Sequence, residues 1–69
     1  MLTNKIIVND CQDMTAAEAR QAFEAALAYD AWLNSDRTDK DPRVRYAQFE
    51  VHETRIGTIV VNKVWPAKG

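Results

Sequence analysis

The 69-residue chain is 46% hydrophobic and 28% charged, and nine Lys and Arg residues against ten Asp and Glu give it a net charge of −1. This composition is too apolar for a disordered chain, and the balanced charge excludes a polybasic tail or a strongly acidic mimic of nucleic acid. One Cys and one His exclude an internal disulfide and the usual zinc ligand sets. A core of this size rarely supplies more than about 3–5 kcal/mol, so we expect self-association to add stability.

No segment has the pattern of a membrane span or a signal peptide. The β-branched runs at residues 6–8 and 59–61 are three residues long, whereas a bilayer crossing needs about 20 apolar residues. The first residues have no charged region leading into a long apolar stretch. The single Cys11 fits a reducing compartment. We therefore expect one cytoplasmic domain, residues 1–69, with no membrane partner.

The first two elements are a strand and a helix. Residues 5–9 predict a strand, because β-branched residues follow one another between Asn4 and Asn9. The helix predicted over residues 16–33 begins with Thr15-Ala16-Ala17-Glu18, a sequence that matches the capping box. No Gly or Pro interrupts this helix, and its alanines favour helical structure.

The faces of this helix follow from a rotation of about 100° per residue. Asp30 falls within the predicted core stripe, so either the last turn unwinds or Asp30 finds a partner at the rim. Trp32 falls on the opposite, outer side, alongside Ala25 and Ala28. The predicted core stripe consists of Ala19, Phe23, Ala26, Leu27 and Leu33.

A polar loop over residues 34–42 precedes a hairpin predicted over residues 43–65. Pro42 marks the restart of extended chain, and residues 44–53 alternate between apolar and polar positions. Gly57 can take positive φ in the turn at residues 54–57. Both faces of the last strand carry β-branched residues, which is typical of a central strand.

The predicted fold is therefore α+β with the order β-α-β-β, a three-stranded antiparallel sheet and one helix on one face. The preferred strand order is 1-3-2, because it puts the most apolar strand in the middle. The alternative pairs strand one with strand two in parallel through a right-handed crossover. The face without a helix would expose a set drawn from Ile6, Val8, Tyr46, Val60 and Val64, and such patches mark interaction sites. Edge strands offer a second route to self-association.

These features favour a non-enzymatic protein-interaction module, a regulator or inhibitor that binds a partner protein and forms a homodimer. Trp is enriched at interfaces because it buries a large rigid surface. Trp65 is equally suited to closing the core, and Trp32 would fold onto the sheet if the helix ended near Tyr29. The interface candidates are Trp32, Tyr46, Val60, Val64 and Trp65.

In size and β-α-β-β order, the chain is similar to many small phage-encoded inhibitors, including some anti-CRISPR proteins. The resemblance is one of architecture, and no motif residues carry it. It implies a protein that acts by binding a partner.

The alternative function is a nucleic-acid-binding or transcription-regulating domain that uses the basic residues of the hairpin. Acidic residues are interleaved with these cations and the pI is about 5.7, which favours a solvated surface of mixed charge. The candidate contacts for this alternative are Arg43, Arg45, Arg55 and Lys63.

Catalysis and metal binding have weak support in the sequence. Cys11 and His52 are the only thiol and imidazole, and no nucleophile signature surrounds Cys11. Asp10 and Asp13 could be combined with Cys11 and His52 into a set of metal ligands. The sequence does not support such a site, because the close ligand pairs of transition-metal sites are missing. We predict no catalytic residue, no metal site and no cofactor.

Overall fold

The computed structural model describes residues 5–9 and 11–64 of the chain. Short 3-10 turns at Cys11–Asp13 and Pro42–Tyr46 precede the helix and the second strand. The predicted α+β class and β-α-β-β order are confirmed. The strands and the helix are β1 (Lys5–Val8), α1 (Ala16–Leu33), β2 (Phe49–Glu53) and β3 (Thr58–Lys63).

The sheet has the predicted order β1-β3-β2, but the predicted direction of β1 is wrong. β1 runs parallel to β3, with Lys5 opposite Thr58 and Val8 opposite Val61, whereas β2 runs antiparallel to β3. The reason is an additional pass of the chain by residues 34–46, which we call the return segment. These residues run back along α1, so β2 begins beside the first half of the helix and points opposite to β1.

Contacts along the helix trace this return. The indole of Trp32 donates to the carbonyl of Asp39, and the guanidinium of Arg43 lies over Tyr29 one turn earlier. Further back along α1, the side-chain amide of Gln48 donates to that of Gln21.

The helix has the predicted bounds and the predicted capping box. The hydroxyl of Thr15 accepts from the Glu18 N–H at 3.1 Å, and the Glu18 carboxylate accepts from the Thr15 N–H at 2.9 Å. These bonds satisfy donors that a helix N-terminus leaves open. At the other end the helix does not unwind at Asp30. Instead, the Asn34 amide donates to the Asp30 carboxylate at 3.3 Å, as one of the two alternatives predicted.

The predicted core stripe of α1 is wrong at Phe23 and Leu27 and correct at Ala26, and Leu33 packs against the edge of the core. Of its members only Ala26 is buried, while Phe23 and Leu27 are 47% and 48% exposed. The helix has apolar residues on several sides, so the pattern alone does not select a face. The alanines of α1 face the sheet because small side chains let the helix approach the sheet closely. The large side chains of the strands fill most of the space between the two layers. The buried face consists of Ala22, Ala25, Ala26 and Tyr29, packed on Phe49, Val51, Ile59 and Val61.

The strand predicted over residues 44–48 is also wrong, because Pro42–Tyr46 forms a 3-10 turn. The Asp41 carboxylate accepts from the backbone N–H of Arg43 at 2.9 Å, and Pro42 stands at the start of the turn. Proline is favoured there because its fixed φ suits the first helical position and its missing N–H is not needed. As a result, Tyr46 lies in the turn and not on a strand, and its side chain packs against the core.

The sheet face turned away from the helix differs from the predicted one. Ile6 and Val8 pair with Ile59 and Val61, so they face the helix with the core. Ile7 and Val60 lie opposite each other on the other, open face, where His52 and Asn62 add polar groups. Val60 and Val64 are on that face as predicted, and Trp65 is outside the described residues. Gly57 takes φ 79° in the β2–β3 turn, as its position predicts.

Candidate protein-interaction site

The two edges of the sheet differ in whether a side chain of the return segment bonds to their outward-facing backbone groups. In β2, the alternation of backbone groups turns the Val51 carbonyl away from β3. Arg43 Nη1 donates to this carbonyl at 3.0 Å. The return segment therefore covers the β2 edge at its centre.

Arg43 is held in this position from several sides. Its guanidinium lies 4.3 Å from the centroid of the Tyr29 ring, and it forms an ion pair with Asp41. The hydrogen bonds from Arg43 lower the pKa of the Asp41 carboxyl, and the same bonds raise the pKa of Arg43. The side chain thus joins the return segment, α1 and β2.

The outer edge of β1 is more open. The backbone N–H of Asn9 donates to the Val61 carbonyl at 2.9 Å, so alternation turns the backbone groups of Ile6 and Val8 outward. Within residues 5–9 and 11–64, the one side chain that bonds to this edge is Cys11, whose Sγ lies 2.9 Å from the Val8 carbonyl oxygen. A thiol is a weak donor, and a carbonyl oxygen has two lone pairs. This edge therefore retains its capacity to pair with another strand.

An apolar strip of the helix lies beside the same edge. At about 100° per residue, Phe23 points about 110° and Leu27 about 150° from the centre of the buried face of α1, both on the side away from Gln21, which is bonded to the residue before β2. Since β1 and β2 are the two outer strands, these side chains lie on the side of β1. We call Ile6, Val8, Phe23 and Leu27 the β1 flank.

The sequence pattern does not predict the β1 flank, because it places Phe23 and Leu27 in the core stripe. The signal that could have found it is present in the sequence. Alanines at positions 22, 25 and 26, with Tyr29, fit helical spacing as well as the predicted stripe does.

The prediction that Trp32 lies on the outside of the helix is wrong, because its side chain is half-buried under the return segment. Its Nε1 donates to the Asp39 carbonyl at 2.9 Å, and its ring stacks on Tyr29 with centroids 6.0 Å apart. Arg37 Cζ lies 5.7 Å from the ring centroid. The exposed part of Trp32 lines an open groove of about 320 Å³ with Ala28, Ala31, Ser35, Asp39, Lys40, Pro42 and Arg45.

The predicted interface residues are not brought together into one patch. Tyr46, the last residue of the return segment, packs against the core, and Trp32 lies at the end of α1. Val60 and Val64 are on the opposite, open face of the sheet, where Val64 is 41% exposed. Trp65 lies outside the described residues, so its predicted role stays a prediction.

The four basic candidates for nucleic-acid binding are also separated. Arg43 is paired with Asp41, and the Nζ of Lys63 lies 2.6 Å from a carboxylate oxygen of Glu18. The hydrogen bond from Lys63 lowers the pKa of Glu18, with a further contribution from the Thr15 N–H. Arg45 is exposed at the groove, and Arg55 is exposed in the β2–β3 turn.

Cys11 and His52 lie on different strands of the sheet or their extensions. Cys11 bonds to the end of β1, whereas His52 lies in β2 and pairs with Val60 of β3. The central strand β3 therefore separates the thiol from the imidazole. Two strand spacings amount to about 10 Å, too far for a thiol–imidazole hydrogen bond. Asp10 is outside the described residues. Within residues 5–9 and 11–64, no three His, Cys, Asp or Glu side chains are grouped to hold a metal ion.

Comparison with protein-family models, curated proteins and solved structures finds no match to this chain. Among the residues described by the structure, no helix has the length and apolar character needed to cross a membrane.

Proposed function

We propose that this chain is a non-enzymatic protein-binding module that self-associates and acts in the cytoplasm by occupying a surface of a partner protein. The observation that carries the proposal is the exposure of Phe23 and Leu27 beside the open edge of β1. Nearly half of each large apolar side chain is in contact with water although the helix has a separate, fully formed core face.

The free energy that burial of Phe23 and Leu27 would release is large enough to contribute to binding. Full burial of a Phe or Leu side chain contributes about 1.5–3 kcal/mol, and roughly half of that gain is still available at each of the two positions. Binding energy in interfaces is concentrated in a few large side chains of this kind. The adjacent strand edge adds directional main-chain bonds, which supply register and specificity.

An inhibitory or regulatory role fits this arrangement. A protein that binds through one helix flank and one strand edge can cover a functional surface of its partner without performing chemistry.

Nucleic-acid binding stays an untested alternative. Two of its four candidate cations, Arg43 and Lys63, already form ion pairs inside the domain, so no described cluster of free cations supports it. Binding to random-sequence DNA that weakens steeply with salt would favour this alternative.

The test compares two substitutions of equal chemistry. Leu27→Asp places a charge in the β1 flank, whereas Val44→Asp places one at a side chain that is 77% exposed elsewhere. Both variants and the parent chain are used for affinity capture from lysate with quantitative mass spectrometry. We expect partner proteins retained by the parent and by Val44→Asp to be lost by Leu27→Asp. Equal retention by all three baits would contradict the proposal.

A further inference from the structure

We propose that the occupant of the β1 edge is a second copy of this chain, paired antiparallel about a two-fold axis at Ile7. This inference rests on the proposed function and specifies the surface, the occupant and the register of its self-association, so a second copy and a partner protein compete for the β1 flank. The result is a continuous sheet in which the two β1 strands lie at the centre.

The backbone of β1 is complementary to itself in this register. The outward-facing groups belong to Ile6 and Val8, as the bond from Asn9 to Val61 indicates. With the axis at Ile7, the N–H of Ile6 donates to the carbonyl of the partner's Val8, and the N–H of Val8 donates to the carbonyl of the partner's Ile6. Opposite residues that exchange both bonds are the closely bonded pairs of an antiparallel ladder.

The side chains are compatible with the same register on both faces. On the helix side, Ile6 is opposite the partner's Val8, so apolar groups meet. On the open face, Ile7 meets its own copy and extends the row that it forms with Val60. Lys5 is opposite the partner's Asn9, so the two-fold axis places no like charges against each other.

The helices support this choice of edge. Phe23 lies on the β1 side of α1, so the two-fold axis brings the two Phe23 side chains toward each other and covers surface that is exposed in one copy. The β2 edge offers no equivalent, because Arg43 already bonds to Val51 there. An isologous contact of this kind needs no second type of surface.

Disulfide trapping tests the register. The variant Ile7→Cys in a Cys11→Ser background places two thiols at the axis, in a pair whose Cα atoms are about 4.5 Å apart. That separation is within the range of a disulfide. We expect mild oxidation to convert most of this variant into a covalent dimer. The control is Val60→Cys in the same background, which lies one strand further in on the same face, about 14 Å from its copy. It should stay uncrosslinked.

A second pair of variants tests the main-chain bonds independently of the disulfide. Ile6→Pro removes an outward N–H but leaves the bonds from β1 to β3, whereas Ile6→Ala removes the same side chain and keeps the N–H. Dilution series monitored by light scattering should show the dimer of Ile6→Pro to be at least about tenfold weaker than that of Ile6→Ala. Circular dichroism identifies any variant that fails to fold.

The outcomes separate this inference from the proposed function. A parent chain that stays monomeric at high micromolar concentration would overturn the β1 dimer, while the Leu27→Asp capture experiment still tests partner binding. A dimer in which Ile7→Cys crosslinks no better than Val60→Cys would overturn the register alone. Equal dimer affinity for Ile6→Pro and Ile6→Ala would overturn the strand pairing.

Discussion

The guanidinium of Arg43 lies 4.3 Å from the centroid of the Tyr29 ring, and this contact fixes the return segment against the helix. Tyr29 is 7% exposed and stacks on Trp32 along α1, so its ring connects the core with the polar loop. The same Arg43 reaches Val51 in β2. One side chain thus links the irregular part of the chain to both regular layers.

Arg43→Ala should destabilise the domain by about 1–3 kcal/mol, because a cation–π contact and a hydrogen bond to a strand carbonyl are lost together. Arg43→Lys should recover only part of this loss, since an ammonium cannot reproduce the bidentate contact with Asp41. Urea unfolding followed by circular dichroism measures the free energies. Arg45→Ala, at an exposed position in the same turn, is the control and should change stability by less than about 0.5 kcal/mol.

Stability should fall at acidic pH through Glu18 and Asp41. Both carboxyls have folded-state pKa values below their ordinary values of 4.5 and 3.8. Their contributions are therefore fully present above those ordinary values and are lost as the pH falls through the lowered ones. Urea unfolding at a series of pH values between neutral and acidic gives the profile. Glu18→Gln should reduce the slope below the ordinary pKa of Glu18, and an unchanged slope would contradict its assignment.

The alanine face of α1 should not accept larger side chains. Ala26 is fully buried against the sheet, so Ala26→Leu should cost about 1–3 kcal/mol through overpacking. Ala17 is exposed on the same helix, and Ala17→Leu should be tolerated. Thermal unfolding of the two variants checks this difference. A stable Ala26→Leu variant would mean that the helix presents another face to the sheet.

Trp32 should give the fluorescence of a partly shielded indole. In a Trp65→Phe variant it is the only Trp, and its hydrogen bond to Asp39 and its stacking on Tyr29 limit access of solvent. We expect an emission maximum and acrylamide quenching intermediate between those of buried and fully exposed indoles. Quenching equal to that of free tryptophan would show that the return segment does not cover the ring.

The features that the sequence predicted correctly depend on neighbouring residues. Thr15 and Glu18 define the start of α1 because the capping bonds span only three positions. The strand order was predictable because β3 is long and has β-branched residues on both faces, which is typical of a central strand. Gly57 marks the hairpin turn for a similarly local reason.

The incorrect predictions depend on how distant segments pack. The direction of β1 follows from whether residues 34–46 return along the helix, which the bonds of Trp32 and Arg43 decide. The buried face of α1 follows from the space between helix and sheet, where Ala26 fits and Phe23 does not. Because the helical pattern places Phe23 in the core, the sequence does not predict the β1 flank as an interaction surface.

The bond from Arg43 to Val51 has a consequence for how far association can proceed. A domain with two open sheet edges can add copies without limit and grow into a fibre. Here the centre of the β2 edge is occupied by the chain's own guanidinium, and the two-fold pairing uses the β1 edge of both copies. Assembly through β1 therefore terminates at two copies, and loss of Arg43 should open a path to polymerisation.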